Sequence, residues 1–255
     1  LINNFTDYYH DKVLYDVGVH SKRTMGDLSE AGRAYARYMY DGEVRFIDDQ
    51  VTRLVRDVRK RFPNSIIVVT SDHGEEFWEH GSIGHGKTLY QELIHVPLIV
   101  NIPGEEPLKC EQLVETIDIL PTVAACLALP TDSRWQGTDL AKKIREPQTD
   151  NRPAFSRTKT SLRESHVDLQ AVVRGTDKLV LDDGAGLARL HDLSTDPGEN
   201  YNLAERQPDK VAELRAILAE HERKNAEHPQ SHVHEQTNLD DPTVLEHMKS
   251  IGYLK

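Results

Sequence analysis

Phe62-Pro-Asn-Ser-Ile-Ile-Val-Val-Thr-Ser-Asp-His-Gly74 holds a helix stop, a strand and a turn in direct succession. The four β-branched residues Ile66 to Val69 are bounded by turn formers, which reads as a strand buried on both faces. Upstream, Val44, Ile47, Val51, Leu54, Val55 and Val58 recur at helical spacing between charged residues. They predict an amphipathic helix with one face on a core, opened by Ser29 as N-cap and closed at Phe62-Pro-Asn64. Downstream, Val96-Pro-Leu-Ile-Val-Asn101 is a second buried-strand run. Leu113 to Leu129 is apolar at helical spacing. Helix, strand, loop, strand, helix is the order of an α/β domain with a mostly parallel central sheet flanked by helices.

Past Pro147 to Pro153 the pattern changes. Gln170–Arg174, Lys178–Leu181 and Arg189–Leu193 are short strand candidates, with a turn at Asp196-Pro-Gly198. Pro208 to Lys224 reads as a helix with Val211, Leu214, Ile217 and Leu218 inward. The expected organisation is an α/β part over residues 1–150 and a smaller α+β subdomain over 151–225. Residues 226–255 form a polar loop and a short terminal helix, Pro242 to Ile251.

The chain has 255 residues and a formal net charge of -11. That charge argues against an electrostatic grip on nucleic acid. No apolar run approaches the roughly 20 residues of a membrane helix. Cys110 and Cys126 are too few for a disulfide framework.

The chemistry concentrates in Thr70-Ser-Asp-His-Gly-Glu-Glu-Phe-Trp-Glu-His-Gly-Ser-Ile-Gly-His-Gly-Lys87. The strand delivers Asp72 and His73 at its carboxyl end, where ligands of open α/β sheets bind. Asp and His supply a hard oxygen and an imidazole nitrogen to a divalent metal. Gly74 lets the backbone turn after them. Glycines 81, 84 and 86 interleave with His80, His85 and Lys87. Such a loop is costly to order unless something holds it. His80 is a pocket or a structural residue, and Trp78 shapes a pocket or packs the loop. Asp48 and Asp49 read as solvated helix carboxylates, His228, His232 and His234 as a polar loop, and Tyr35, Tyr38 and Tyr40 as packing residues.

Ser71-Asp-His-Gly-Glu75, Glu79-His-Gly81, Gly84-His-Gly-Lys87, Leu89-Tyr-Gln-Glu92 and Val96-Pro-Leu-Ile-Val100 together resemble the second metal-binding signature of the sulfatase family, within the alkaline phosphatase superfamily. The resemblance continues through Tyr40–Asp49, Asp118-Ile-Leu-Pro-Thr122, Trp135–Leu140, Arg174–Lys178, His191–Glu199, Asn202-Leu-Ala204 and Ser250–Leu254.

The resemblance implies an alkaline phosphatase-like α/β fold and hydrolysis of sulfuric esters through a covalent intermediate. It implies Asp72 and His73 as ligands of one divalent ion, calcium, manganese or zinc. His85, and less directly Lys87, would contact the transferring group or the leaving group. The substrate would be a small-molecule or saccharide sulfate ester, met in the periplasm or outside the cell. The Asp-His pair is also similar to phosphonate monoester hydrolases and phosphoethanolamine transferases. The family's Cys/Ser-x-Pro-x-Arg nucleophile segment has no counterpart here, since Cys110 and Cys126 stand in other contexts. The chain is therefore expected to be the C-terminal part of such an enzyme, inactive alone, or a non-catalytic module.

Overall fold

The computed structural model describes residues 28–141, 151–162 and 165–227. Of these, residues 28–48 belong to one unit and 49–227 to another. The expected loop and helix beyond residue 227, with their histidines, lie outside the described residues.

Helix α1 spans Glu30–Arg61. Its N-terminus forms as its sequence dictates: the Ser29 hydroxyl accepts the Gly32 amide at 3.2 Å. Phe62-Pro63 follows its last residue, and the Ser65 hydroxyl donates to the Phe62 carbonyl at 2.9 Å. The apolar stripe forms but is not covered as expected: Ile47 is 55% and Leu54 64% exposed. Tyr38 is likewise open, so it is not a packing residue. Periodicity reports that a helix is two-faced, not what lies against either face.

Strand β1 is Ile67–Thr70, followed by a ribbon of two short strands, β2 (Glu76–Phe77) and β3 (Ile83–Gly84). A single helical turn, α2 (Gln91–Ile94), leads into β4 (Leu98–Asn101). A 3-10 turn, Thr116–Asp118, runs directly into α3 (Ile119–Cys126). Both apolar runs are thus strands, and they pair with each other, Val68 opposite Val100. The pairing is antiparallel, whereas the order of elements suggests parallel neighbours. The connection supplies a reason. It holds a ribbon and one helical turn, not the crossover helix that normally brings a parallel strand back. Neither strand reaches the expected burial on both faces, and Ile99 is 60% exposed.

The second layer is an antiparallel sheet in the order β5 (Ala154–Leu162), β6 (Ser165–Arg174), β7 (Asp177–Asp182), β8 (Leu187–Asp192). β6 to β8 follow their β-branched and leucine runs. β5 carries Arg157 and Lys159 among its hydroxyls, so it offers no apolar run to read. Alternation sends Val172, Leu179, Leu181 and Leu190 to one face, against Leu214 and Leu218 of α4 (Pro208–Glu227). The opposite face carries Leu169, Ala171 and Val180 and packs on Leu89 and Ile94. The segment leading into α2 is therefore clamped to this sheet. Each fully buried leucine or valine contributes about 1.5–3 kcal/mol to that arrangement.

His191 of β8 is 2% exposed. Burial pushes its imidazole below the ordinary 6.5, with Glu199 and Asp196 opposing the shift and Lys178 adding to it. The folded chain thus resists a proton that the unfolded chain accepts. The associated stability is intact above pH 6.5 and is lost as the pH falls through the folded value. His221, ring-stacked on Phe155, is displaced in the same direction by burial. Urea denaturation from pH 7.5 down to 5.5 should therefore show a loss approaching about 1.4 kcal/mol per pH unit for each such group. His191→Gln should flatten that dependence; an unchanged slope would mean that His191 does not carry it.

Candidate active site

Asp72 and His73 stand just past the end of β1, where the strand reading places them. The Asp72 side chain is 77% exposed, and its Oδ1 accepts the His73 amide at 2.9 Å. That backbone hydrogen bond, then the charge of His73, holds the carboxyl below its ordinary value. It is a ready anionic ligand.

The His73 ring is fixed by its own neighbour. Its Nδ1 lies 2.9 Å from the Gly74 carbonyl, which can only accept, so Nδ1 carries the proton. Nε2 is the nitrogen left open to a ligand, 3.7 Å from Asp72 Oδ2. A ring N–H tied to a carbonyl and the other nitrogen turned out is the usual state of a metal-bound histidine. The donor set therefore fits a divalent ion touching Asp72 and His73. A carboxylate oxygen suits hard divalent ions and an imidazole nitrogen suits softer ones.

Gly74 is required for a different reason than the turn expected of it. A Cβ there would run into the Glu92 carbonyl oxygen. Its amide donates to Leu93 O at 2.8 Å, so the strand end is pinned against α2.

His85 comes to the same place from the far end of the loop. Its ring stacks on that of His73, with centroids 4.0 Å apart and planes at 28°. Its Nδ1 is 2.9 Å from Glu75 Oε2. His73, Glu75 and His85 hold ligand atoms all within 4.8 Å of one another. Glu75 is a member of this cluster that sequence reasoning passed over. Its signal, an acid directly after Asp-His-Gly, lay inside the quoted motif, but its partner is ten positions away. Gly86 adopts φ +79, a conformation side chains disfavour, and its carbonyl accepts the Thr158 hydroxyl of β5 at 3.0 Å.

Lys87 does not join this group. It lines a cavity of about 130 Å³ between residues 87–90 and the face of β6 to β8.

His80 is structural. Nδ1 is 2.7 Å from Glu92 Oε1 and Nε2 3.0 Å from the Gly198 carbonyl, and its ring lies flat on Tyr90. Glu76, His80 and Glu92 also cluster tightly. The Glu76 oxygens, however, accept Ser82 N and the Thr88 hydroxyl, and both His80 nitrogens are engaged. This second group is a hydrogen-bonded knot that ties the loop down. Trp78 is 8% exposed and packs within the loop at φ 67.

The four-stranded sheet anchors the loop from outside. Glu199, in a left-handed conformation at φ 51, accepts the Gln91 amide at 2.6 Å. Its other oxygen pairs with Lys178 Nζ at 2.6 Å, and both side chains are fully buried. Asp118, also fully buried, accepts Arg152 and the Thr138 amide, which joins the start of α3 to β5. The ordering cost of a glycine-rich loop is thus met by Gly198, Glu199 and Thr158, none of them legible as loop anchors in sequence.

Residues 5–129 match the family model described as Sulfatase. The region 5–129 belongs to the sulfatase family. It is 32% identical over 163 residues to arylsulfatase K of Gallus gallus, covering 60% of this chain and 30% of that protein. It is 30% identical over 168 residues to a Δ4,5-hexuronate-2-O-sulfatase of Bacteroides thetaiotaomicron, covering 62% and 33%. Among solved structures, BT4656 in complex with its substrate D-glucosamine-2-N,6-O-disulfate superimposes with a TM-score of 0.65 at 23% identity. That match covers 88% of this chain and 47% of that one. The chain therefore carries the alkaline phosphatase-like α/β fold of the sulfatases. It spans less than half the length of these relatives.

Proposed function

We propose that the loop Asp72–His85 forms the metal-binding and leaving-group side of a site that hydrolyses sulfuric esters through a covalent intermediate. The convergence of His85 on His73, with Glu75 behind it, is the observation that supports this most. Asp72 and His73 hold one divalent ion. Such an ion supplies Lewis-acid polarisation of the ester oxygens and neutralises charge as it builds.

His85 acts on the leaving group. Its Nδ1–H donates to the Glu75 carboxylate, which orients the ring. Its other nitrogen, on a half-exposed ring, hands a proton to the bridging oxygen as the S–O bond breaks. The nucleophile is assigned to none of the described residues. Saccharide sulfate esters are the proposed substrates, in line with the sulfated sugars named for the hexuronate sulfatase and for the BT4656 complex.

His85→Ala should lower turnover of an aryl sulfate by about 10²–10⁴-fold, the range of a lost general acid. Metal content should be unchanged. Loss of the metal in this variant would make His85 a ligand, and full turnover would remove it from the site. A histidine rather than an amide beside Asp72 favours a second reading, a phosphoric or phosphonic ester hydrolase. Comparison of kcat/KM for matched sulfate and phosphate esters separates the two.

A further inference from the structure

The cavity beside Lys87 is built from two kinds of surface. Its floor is apolar, with Leu169 and Val180 of the sheet. Its polar groups are Lys87, Tyr90, Asp182, Arg189 and Thr88, whose hydroxyl is already given to Glu76. Lys87 comes from the glycine-rich loop and Arg189 from β8. Neither cation has a carboxylate partner among the described residues, although the chain as a whole is strongly acidic. The one acid in the cavity, Asp182, spends Oδ1 on the Ala185 amide at 2.9 Å. Arg189 is half-buried, and its charge acts on the Tyr90 hydroxyl, which burial otherwise raises above its ordinary value.

A half-buried guanidinium is ordinarily held by a carboxylate or another anion, since leaving it unpaired is costly. Here it lines an open cavity that a second cation, Lys87, also lines. The planar fork of Arg and the point charge of Lys are the usual pair for an oxyanion. Position gives the anion a source. Lys87 is two residues from His85, at most about 7 Å along the chain, so one bound saccharide reaches both.

We propose that this cavity is a subsite for a second oxyanion, a sulfate or carboxylate substituent on the sugar whose ester lies at His85. Lys87 and Arg189 bind the anion, Tyr90 and the apolar floor pack the ring, and the outer oxygen of Asp182 accepts a sugar hydroxyl. This rests on the reading of His85 as the leaving-group side of the site. It also gives Lys87 a role in binding in place of the catalytic one that the family resemblance suggested.

The test needs no turnover. The full chain, labelled with ¹⁵N, is titrated with inorganic sulfate, with N-acetylglucosamine 6-sulfate and with unsulfated N-acetylglucosamine. Both anions should shift the amides of Leu89, Tyr90 and Val180, and the unsulfated sugar should not. The sulfated sugar should bind more tightly than free sulfate if the substituent of a saccharide is the natural occupant. The reverse order would make the cavity a site for free anions and would overturn the subsite. Arg189→Gln should weaken the sulfated sugar by about tenfold, the loss of one charge-assisted hydrogen bond. Lys87→Gln, an exposed loop change that leaves the sheet intact, should act in the same direction. Asp182→Asn should strengthen free sulfate by removing a like charge. Shifts confined to residues 72–85, or unchanged by either cation variant, would overturn the proposal. The reading of His85 fails separately, if His85→Ala hydrolyses its ester at full rate whatever happens at Arg189.

Discussion

Asp72→Ala is expected to weaken divalent metal binding by more than about 100-fold, because loss of even a supporting contact behind a ligand costs about 10–100-fold. The exposed Asp72 carboxylate is oriented by the His73 amide and kept ionised by it. Alanine removes the anionic half of the pair and leaves a single imidazole. Asp72→Asn is the sharper control, because it keeps the shape and the acceptor oxygen and removes only the charge. His73→Ala should match the alanine variant at 72. Calorimetric titration with Mn(II) measures all three. Wild-type affinity in Asp72→Ala would place the metal elsewhere.

The second large effect is on stability. Glu199→Ala is expected to cost about 3–5 kcal/mol, the range for breaking a buried ion pair from one side. The Lys178 ammonium would be left fully buried without its counter-charge, and the Gln91 amide would lose its acceptor. Burial already pushes Lys178 below its ordinary value, with Glu199 opposing that shift. The gain from the pair is therefore a balance against desolvation, not a surplus. Lys178→Met combined with Glu199→Leu should consequently cost less than Glu199→Ala alone, since no orphaned charge remains. Urea denaturation of the single and double variants measures the difference. Equal or additive losses would show that charge burial is not the cause. Because Glu199 holds the first residue of α2, the single variant should also broaden the amide signals of residues 85–91.

The elements that reported themselves in sequence are those whose pattern is local. β1 and β4 are β-branched runs, α1 has its serine cap, and α4 has the spacing of Leu214 and Leu218. The position of Asp72 and His73 was legible because a strand end is a fixed address. Residues whose role depends on a distant partner were not. Glu75 acquires meaning from His85, and Lys178 and Glu199 from each other and from Gln91. The direction of β4 was also hidden, since an apolar run looks the same read either way. β5 stayed hidden because its hydroxyl and basic side chains suit a strand paired along one edge only. The exposed stripe of α1 teaches the same lesson from the other side: a two-faced helix is written in its own residues, its neighbours are not.

The most direct measurement is anomalous diffraction from crystals of the protein grown with Mn(II). The account predicts one strong peak bonded to the Asp72 carboxylate and to His73 Nε2, beside the His85 ring. A peak held instead by Glu76, His80 and Glu92, with Asp72 and His73 free of metal, would contradict it.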